Sequence, residues 1–289
     1  MSFLKFPVRL ISPALFIALV PAFIVTACSQ KKIILNSPPH YNFSAPFTNK
    51  LELKIKEISG IAYDNKNNEF VAHNDETGKL FFLDKETKII KAELVFGGKG
   101  DYEDVAIANG SIYILRSDGM ITKFMKDSTG KAYGLEVGKL SLSGTNDFET
   151  MYYDPDRKAL VVICKNCKMD DKGSVSAFAY YPDSIGFDNK PLFTIDAAKV
   201  EQMANRKTSK LQPSAAAIHP VLHKLFIISS ASNQLVIADL DGNVESVYTL
   251  SQKLFPQPEG ITFKPNGDMY ISNEGPTGRA TLLNFRYRP

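Results

Sequence analysis

The sequence predicts an all-β fold: a five-bladed β-propeller closed by a strand from the N-terminal side. Three observations carry this prediction: an internal repeat, the near-absence of helical periodicity, and the way the two ends of the repeat region complete each other. The repeat shows in five segments, "ISGIAYDNKNNEFVAHND" from Ile58, "YEDVAIANGSIYILRSDG" from Tyr102, "FETMYYDPDRKALVVICKN" from Phe148, "PSAAAIHPVLHKLFIISSAS" from Pro213 and "PEGITFKPNGDMYISNEG" from Pro258. In each, a Ser or Glu leads into a mostly apolar run, a polar turn and a second run rich in Ile, Val, Leu, Phe or Tyr. The leading residues are Ser59, Glu103, Glu149, Ser214 and Glu259, spaced by 44, 46, 65 and 45 residues.

Further short strands follow each pair, as in "KLFFLDKETKIIKAELVF" (79–96), "GMITKFM" (119–125) and "QLVIADLDGNVESVYTL" (234–250), punctuated by Asp-Gly and Asn-Gly turns. Four short strands per unit of about 45 residues is the pattern of a propeller blade. The one good helical candidate, "DAAKVEQMANRK" (196–207), lies in the 65-residue interval, where an insertion is expected. A sixth, degenerate blade hidden in that interval is the alternative. Only 30 residues follow Glu259, too few for a whole blade. The stretch "FSAPFTNKLELKIKEI" supplies the remainder, so a strand near Leu51–Lys56 is expected to complete the last blade and remove the open edge.

The 289 residues carry a formal charge of +3, 44% hydrophobic residues and no tryptophan, which suits one globular domain or at most two, with an ample core. No dense basic stripe is present, so no nucleic-acid partner is expected, and the protein is read as a monomer. Residues 1–27 have two cations (Lys5, Arg9), an apolar stretch and small residues, the layout of a secretory signal. Val25-Thr26-Ala27-Cys28 resembles a bacterial lipobox, which makes Cys28 the expected lipidation site and the membrane an expected partner. Residues 28–48 read as a flexible tether and 49–289 as the propeller. Ser29 after the cysteine fits an outer-membrane destination facing the periplasm, within the bacterial cell envelope.

The other cysteines form one CxxC, Cys164 and Cys167. Without a second CxxC a four-thiolate zinc site within one chain is excluded, leaving a small local disulfide or two inert thiols ahead of a redox pair.

In a propeller the leading residues of the first strands converge on the central channel. That places Glu103, Glu149 and Glu259 around one mouth, with Ser59 and Ser214 filling the ring. Two carboxylates about 5 Å apart repel by about 3 kcal/mol at an effective dielectric near 20. Such a ring needs a cation, protonation or basic partners. An oxygen-rich site favours calcium, with further ligands where second strands end: Asn74, Asp75, Glu76, Asp118, Asn273 and Glu274. The alternative roles are hydrogen-bonded bracing between blades and a catalytic carboxylate. His73, His219 and His223 show no metal-binding spacing, and no GxSxG elbow or nucleophile–base pair occurs.

Taken together, "EISGIAYDNKNNEFVAHNDETGKLFFLD", "GDYEDVAIANGSIYILRSDG", "LQPSAAAIHPVLHKLFIISSASNQLVIADLDG" and "PEGITFKPNGDMYISNEG" resemble the SdiA-regulated family of bacterial β-propellers, distantly akin to NHL repeats. The resemblance spans roughly residues 50–288. It implies five blades, a bound calcium at a shared site carried here by Glu103, Glu149 and Glu259, and no established enzymatic activity. The third blade departs from the pattern, with Thr150-Met151 after its glutamate. The function expected is a membrane-anchored, exported binding or scaffold propeller with a small-molecule or envelope-protein partner. The alternative is a metal-dependent hydrolase of a lactone, ester or phosphoester using the same acidic ring, for which His73, Asp75 or Arg116 would stand near an open metal position.

Overall fold

The computed structural model describes residues 1–2, 37–171, 173–184, 186–204, 211–275 and 277–289. The remaining residues, and with them Cys28 and nearly all of the expected leader, lie outside this description. Strand β1 (Phe47–Lys50) is followed by four strands of a first blade: β2 (Ile58–Asp64), β3 (Glu69–Asn74), β4 (Thr77–Asp84) and β5 (Ile90–Lys99). The second blade comprises β6 (Tyr102–Ala108), β7 (Ser111–Arg116), β8 (Met120–Lys126) and β9 (Ala132–Lys139). The third has β10 (Asn146–Asp154), β11 (Ala159–Cys167) and β12 (Ser174–Tyr181), followed by β13 (Gly186–Phe187) and β14 (Phe193–Asp196). After helix α1 (Ala197–Ala204), the fourth blade is β15 (Ala215–Ile218), β16 (Leu225–Ser229), β17 (Gln234–Ala238) and β18 (Val244–Thr249). The last is β19 (Pro258–Phe263), β20 (Met269–Asn273) and β21 (Thr281–Phe285).

Each blade is an antiparallel meander, and the five first strands pack side by side in a closed ring, β2 against β6, β6 against β10, β10 against β15, β15 against β19, and β19 against β2. The protein is therefore a five-bladed propeller. Among its described residues the 65-residue interval holds no sixth blade: they make α1 and split the outer strand of the third blade into β13 and β14, both paired with β12.

The core is divided among the blade interfaces. Five apolar clusters correspond to the five contacts between neighbouring blades. Period-two alternation sends successive first-strand side chains to opposite interfaces. Ile61, for example, joins the cluster shared with the last blade, while Ala62 joins the one shared with the second. Because both faces of a blade are covered, its middle strands are continuous apolar runs, such as "ALVVIC" in β11 and "LFIIS" in β16.

The last blade is completed from the N-terminal side, as expected, but four residues earlier than the sequence suggests. Strand β1 pairs with β21, Phe47 opposite Asn284 and Lys50 opposite Thr281. Leu53–Ile55 is instead a 3₁₀ turn. Leu51 and Ile55 are buried where the last blade meets the first, because the chain must there swing from an outer edge to an inner strand. The stretch read as tether also joins the propeller from Ser37 onward. Tyr41 and Phe43 are buried, and the Phe43 ring lies 5.3 Å from Phe255 and 4.9 Å from Phe285. His219 Nδ1 accepts two backbone N–H groups, from Val221 at 3.1 Å and Leu222 at 3.0 Å, which leaves its proton on Nε2. Nε2 donates to the Tyr41 hydroxyl at 2.6 Å, and that hydroxyl donates to the Gly267 carbonyl at 2.6 Å. Burial pulls the His219 imidazole down to about 4, in keeping with a neutral ring in this position.

Candidate functional site

The residues that lead each repeat owe their placement to β-bulges. In β6 the register passes from Tyr102 opposite Arg116 to Asp104 opposite Leu115, leaving Glu103 without a cross-strand partner. Glu149 in β10 and Glu259 in β19 are skipped in the same way. In β2 the ladder jumps from Ile58 to Ile61, passing over Ser59 and Gly60. A bulge twists the strand locally and re-aims the extra side chain. Repeated at the inner end of several blades, it turns that side chain into the channel. Glycine is required beside two of these bulges: a Cβ on Gly60 would lie 2.6 Å from His73 Nε2, and one on Gly260 would lie 2.4 Å from Ser272 Oγ.

The two serines of the ring are braces. Ser59 Oγ donates to the Glu103 carbonyl and Ser214 Oγ to the Pro258 carbonyl, each at 2.9 Å and each across a blade interface. Among the described residues, the three glutamates line a cavity of about 370 Å³, joined by Asp75, Asp101 and Glu274 and by a single cation, Lys165. The Lys165 ammonium pairs with the Glu149 carboxylate and stands 4.0 Å from Asp147.

Burial is the largest influence on Glu103 and Glu259. It pushes Glu103 up to about 8, reinforced by repulsion from Asp101 and Asp147 and opposed by Lys165. It pushes Glu259 up to about 7, with Glu274 adding repulsion and the Ser230 hydroxyl and Lys165 opposing it. Asp75, Asp147 and Glu274 are likewise held above the ordinary carboxylate range, chiefly by burial. One oxygen of Asp75 is buried without a hydrogen-bond partner among the described residues.

The structure brings Glu103, Glu149, Glu259 and Asp75 together, along with Glu274. It does not bring Asn74 or Asn273 with them. Asn74 Oδ1 accepts from the Thr77 amide at 3.2 Å and the Thr77 hydroxyl at 2.6 Å, closing the turn after β3. Asn273 is fully buried and donates to Thr281 Oγ1 at 3.2 Å, bonding within its own blade. Asp118 is held at the rim by Arg116, at 2.8 and 2.9 Å, and by Lys139 at 2.8 Å. Asp101 and Lys165 were not anticipated from the sequence. The Cys164–Cys167 pair is a disulfide, one of the alternatives left open by the CxxC, and Lys165 and Asn166 are the two residues it encloses.

The other end of the same channel differs. The later residues of the first strands, among them Tyr63, Ile107, Tyr153, Ile218 and Phe263, line a cavity of about 440 Å³. Its one carboxyl, Asp104, is fully buried, raised by that burial, and accepts backbone N–H bonds from Val105 and Met151, both at 2.8 Å.

An acidic, bulge-built mouth thus lies at one end of the axis of a five-bladed propeller. The SdiA-regulated family model matches residues 37–277, and the chain belongs to that family. No curated protein matches the sequence. Among solved structures the fold is similar to glutaminyl cyclase from Myxococcus xanthus, with 13% identity, a TM-score of 0.56, and coverage of 84% of this chain and 96% of that one. It is also similar to a protein of unknown function from Bacteroides thetaiotaomicron, with 14% identity, a TM-score of 0.53, and coverage of 78% of this chain and 53% of that one. At these identities the likeness is one of fold.

Proposed function

We propose that this propeller is an exported binding protein, lipid-anchored to the cell envelope through Cys28, and that its acidic mouth holds a calcium ion. The observation that carries the reading is the convergence of Glu103, Glu149 and Glu259, each skipped by its own ladder, on one cavity with Asp75, Asp101 and Glu274 and, among the described residues, one ammonium. An all-oxygen carboxylate set suits a hard divalent cation, and the unpartnered Asp75 oxygen supplies a ready acceptor. Among the described residues the carboxylates stand wider than a compact cage: the single cluster with ligand atoms within 4.8 Å of one another is Cys164, Cys167 and Asp170, whose sulfurs are committed to the disulfide. Glu103, Glu149, Glu259 and Asp75 are the residues that would hold the ion, and its charge would favour the ionised form of the buried carboxyls. The hydrolase reading gains no observation of its own. Of His73, Asp75 and Arg116, only Asp75 lines the cavity.

The test is isothermal titration of calcium into the full chain in detergent, alongside Glu103→Gln and Glu259→Gln. Saturable binding that weakens at least about tenfold in either variant, a loss of about 1.4 kcal/mol or more, supports the site. Absence of binding, or equal binding in all three proteins, overturns it.

A further inference from the structure

The ammonium that lines the acidic mouth is the protein's own Lys165, and it lies inside the Cys164–Cys167 disulfide loop. Cys164 and Cys167 are separated by three positions on β11. In a regular strand such residues lie about 10 Å apart and face opposite sides of the sheet, a geometry no disulfide can span. Here their Cα atoms are 5.7 Å apart and both side chains are buried in the cluster between the second and third blades. The register shows how. Cys164 lies opposite Phe148 and Asn166 opposite Asp147, so Lys165 is an extra residue, skipped by the ladder. One bulge residue shortens the strand and puts both sulfurs on the same face.

Directly across from it, β10 skips Glu149, which lies between Phe148, opposite Cys164, and Thr150, opposite Ile163. The two extra residues leave the ladder at adjacent points and meet as an ion pair, with Lys165 lining the acidic cavity. The bulge that permits the disulfide is therefore the bulge that aims the ammonium.

Resting on the reading of the mouth as a cation site, we propose that Lys165, held by the Cys164–Cys167 disulfide, is the resident counter-cation of that mouth and sets its affinity, because a divalent ion must displace it from Glu149. An ammonium competing for the same carboxylate weakens binding of a second cation. A strand relieved of the disulfide no longer needs the bulge and is free to withdraw the ammonium. Lys165 is thus a positioning and selectivity residue. Its removal strengthens calcium binding where removal of Glu103, Glu149 or Glu259 weakens it.

The experiment combines two readouts on the full chain in detergent. Calcium titration compares the parent protein with Lys165→Met and Cys164→Ala/Cys167→Ala. Affinity is expected to rise about tenfold in Lys165→Met and by about threefold or more in the cysteine variant, with no further gain when the two changes are combined. Equal affinity in the parent and Lys165→Met overturns the proposal and leaves the cation site standing. The second readout needs no metal: lysine acylation followed by mass spectrometry. Lys165 is expected to react slowly in the parent protein and faster in Glu149→Gln and in the cysteine variant. Equal reactivity in the parent and Glu149→Gln means that the ion pair does not hold the ammonium, whatever calcium does. Protection of Lys165 with no calcium binding in any protein would sink the metal reading and its competition with Lys165, while leaving the positioning by Glu149 intact. If the cysteine variant fails to fold, Lys165→Met and Glu149→Gln still decide the matter.

Discussion

The two ends of the central channel are made by the same five strands and have opposite chemistry. At the acidic end, bulges release Glu103, Glu149 and Glu259 from their ladders, and the described residues gather six carboxyl groups around one ammonium. Beyond the bulges the strands become regular. Alternation then commits their side chains to the blade interfaces, and the channel is bordered mainly by apolar residues with one amide-bonded carboxyl, Asp104. A propeller gains polar chemistry on its axis where pairing is interrupted. Where pairing is continuous, the axis inherits the character of the core.

The largest effect expected from this contrast is at the apolar end. Met151→Glu would bury a second carboxylate beside Asp104 with no lysine or arginine among the described lining residues of that cavity. A loss on the order of 4 kcal/mol is expected, seen as a fall in Tm of about 10 °C or more. A fall of only about 2 °C would show that this end admits ions as the other does, and the contrast would collapse.

Next in size is the pH dependence of the acidic end. Glu103 and Glu259 have folded-state values of about 8 and about 7, above the ordinary 4.5. The stability each contributes is complete below about pH 4.5 and is lost as pH rises through 7 to 8. The metal-free protein is thus expected to melt lower at pH 8.5 than at pH 5.5, by about 5 °C. Flat melting temperatures across that range would mean that the carboxyls are better solvated than their burial implies.

Glu103→Gln sharpens the same point at a single residue. With no buried charge to form, the variant should melt about 3 °C above the parent protein at pH 8.5 in the absence of calcium and match it at pH 5.5. A gain at both pH values would point to packing and not to charge.

The smallest change is expected at the rim. Arg116→Ala breaks an ion pair with Asp118 that is partly solvent-exposed, and the cost should stay within about 1 kcal/mol in urea unfolding. A larger cost would make the rim pairs part of the framework.

Much of this fold was legible because propeller blades repeat. Ser59, Glu103, Glu149, Ser214 and Glu259 align by local spacing alone, and the missing end of the last blade forced a closing strand. Leu51–Lys56 reads as a strand because its alternating apolar residues suit both a strand and a turn that buries two anchors, Leu51 and Ile55. Tyr41 and Phe43 escaped notice because their partners, His219, Phe255 and Phe285, lie far along the chain. At the site, the glutamates were readable as repeat positions. Lys165 belongs to a second strand and enters the mouth through a bulge found in one blade only, so no repeat betrays it. The trace it left in the sequence was its place inside the CxxC.

The pairing of Phe47 with Asn284 also sets a timetable. A chain emerging from its N-terminus would deliver β1 first and β21 last, so the earliest strand must wait, unpaired, for the latest. Until they meet, the last blade keeps an open edge and the ring stays unlocked, a long loop closure that favours slow, late completion. Tyr41 and Phe43, docked just ahead of β1, act as a latch on that final step. Once it shuts, a pull transmitted from the N-terminal side must draw out two buried rings before it can unzip a single strand.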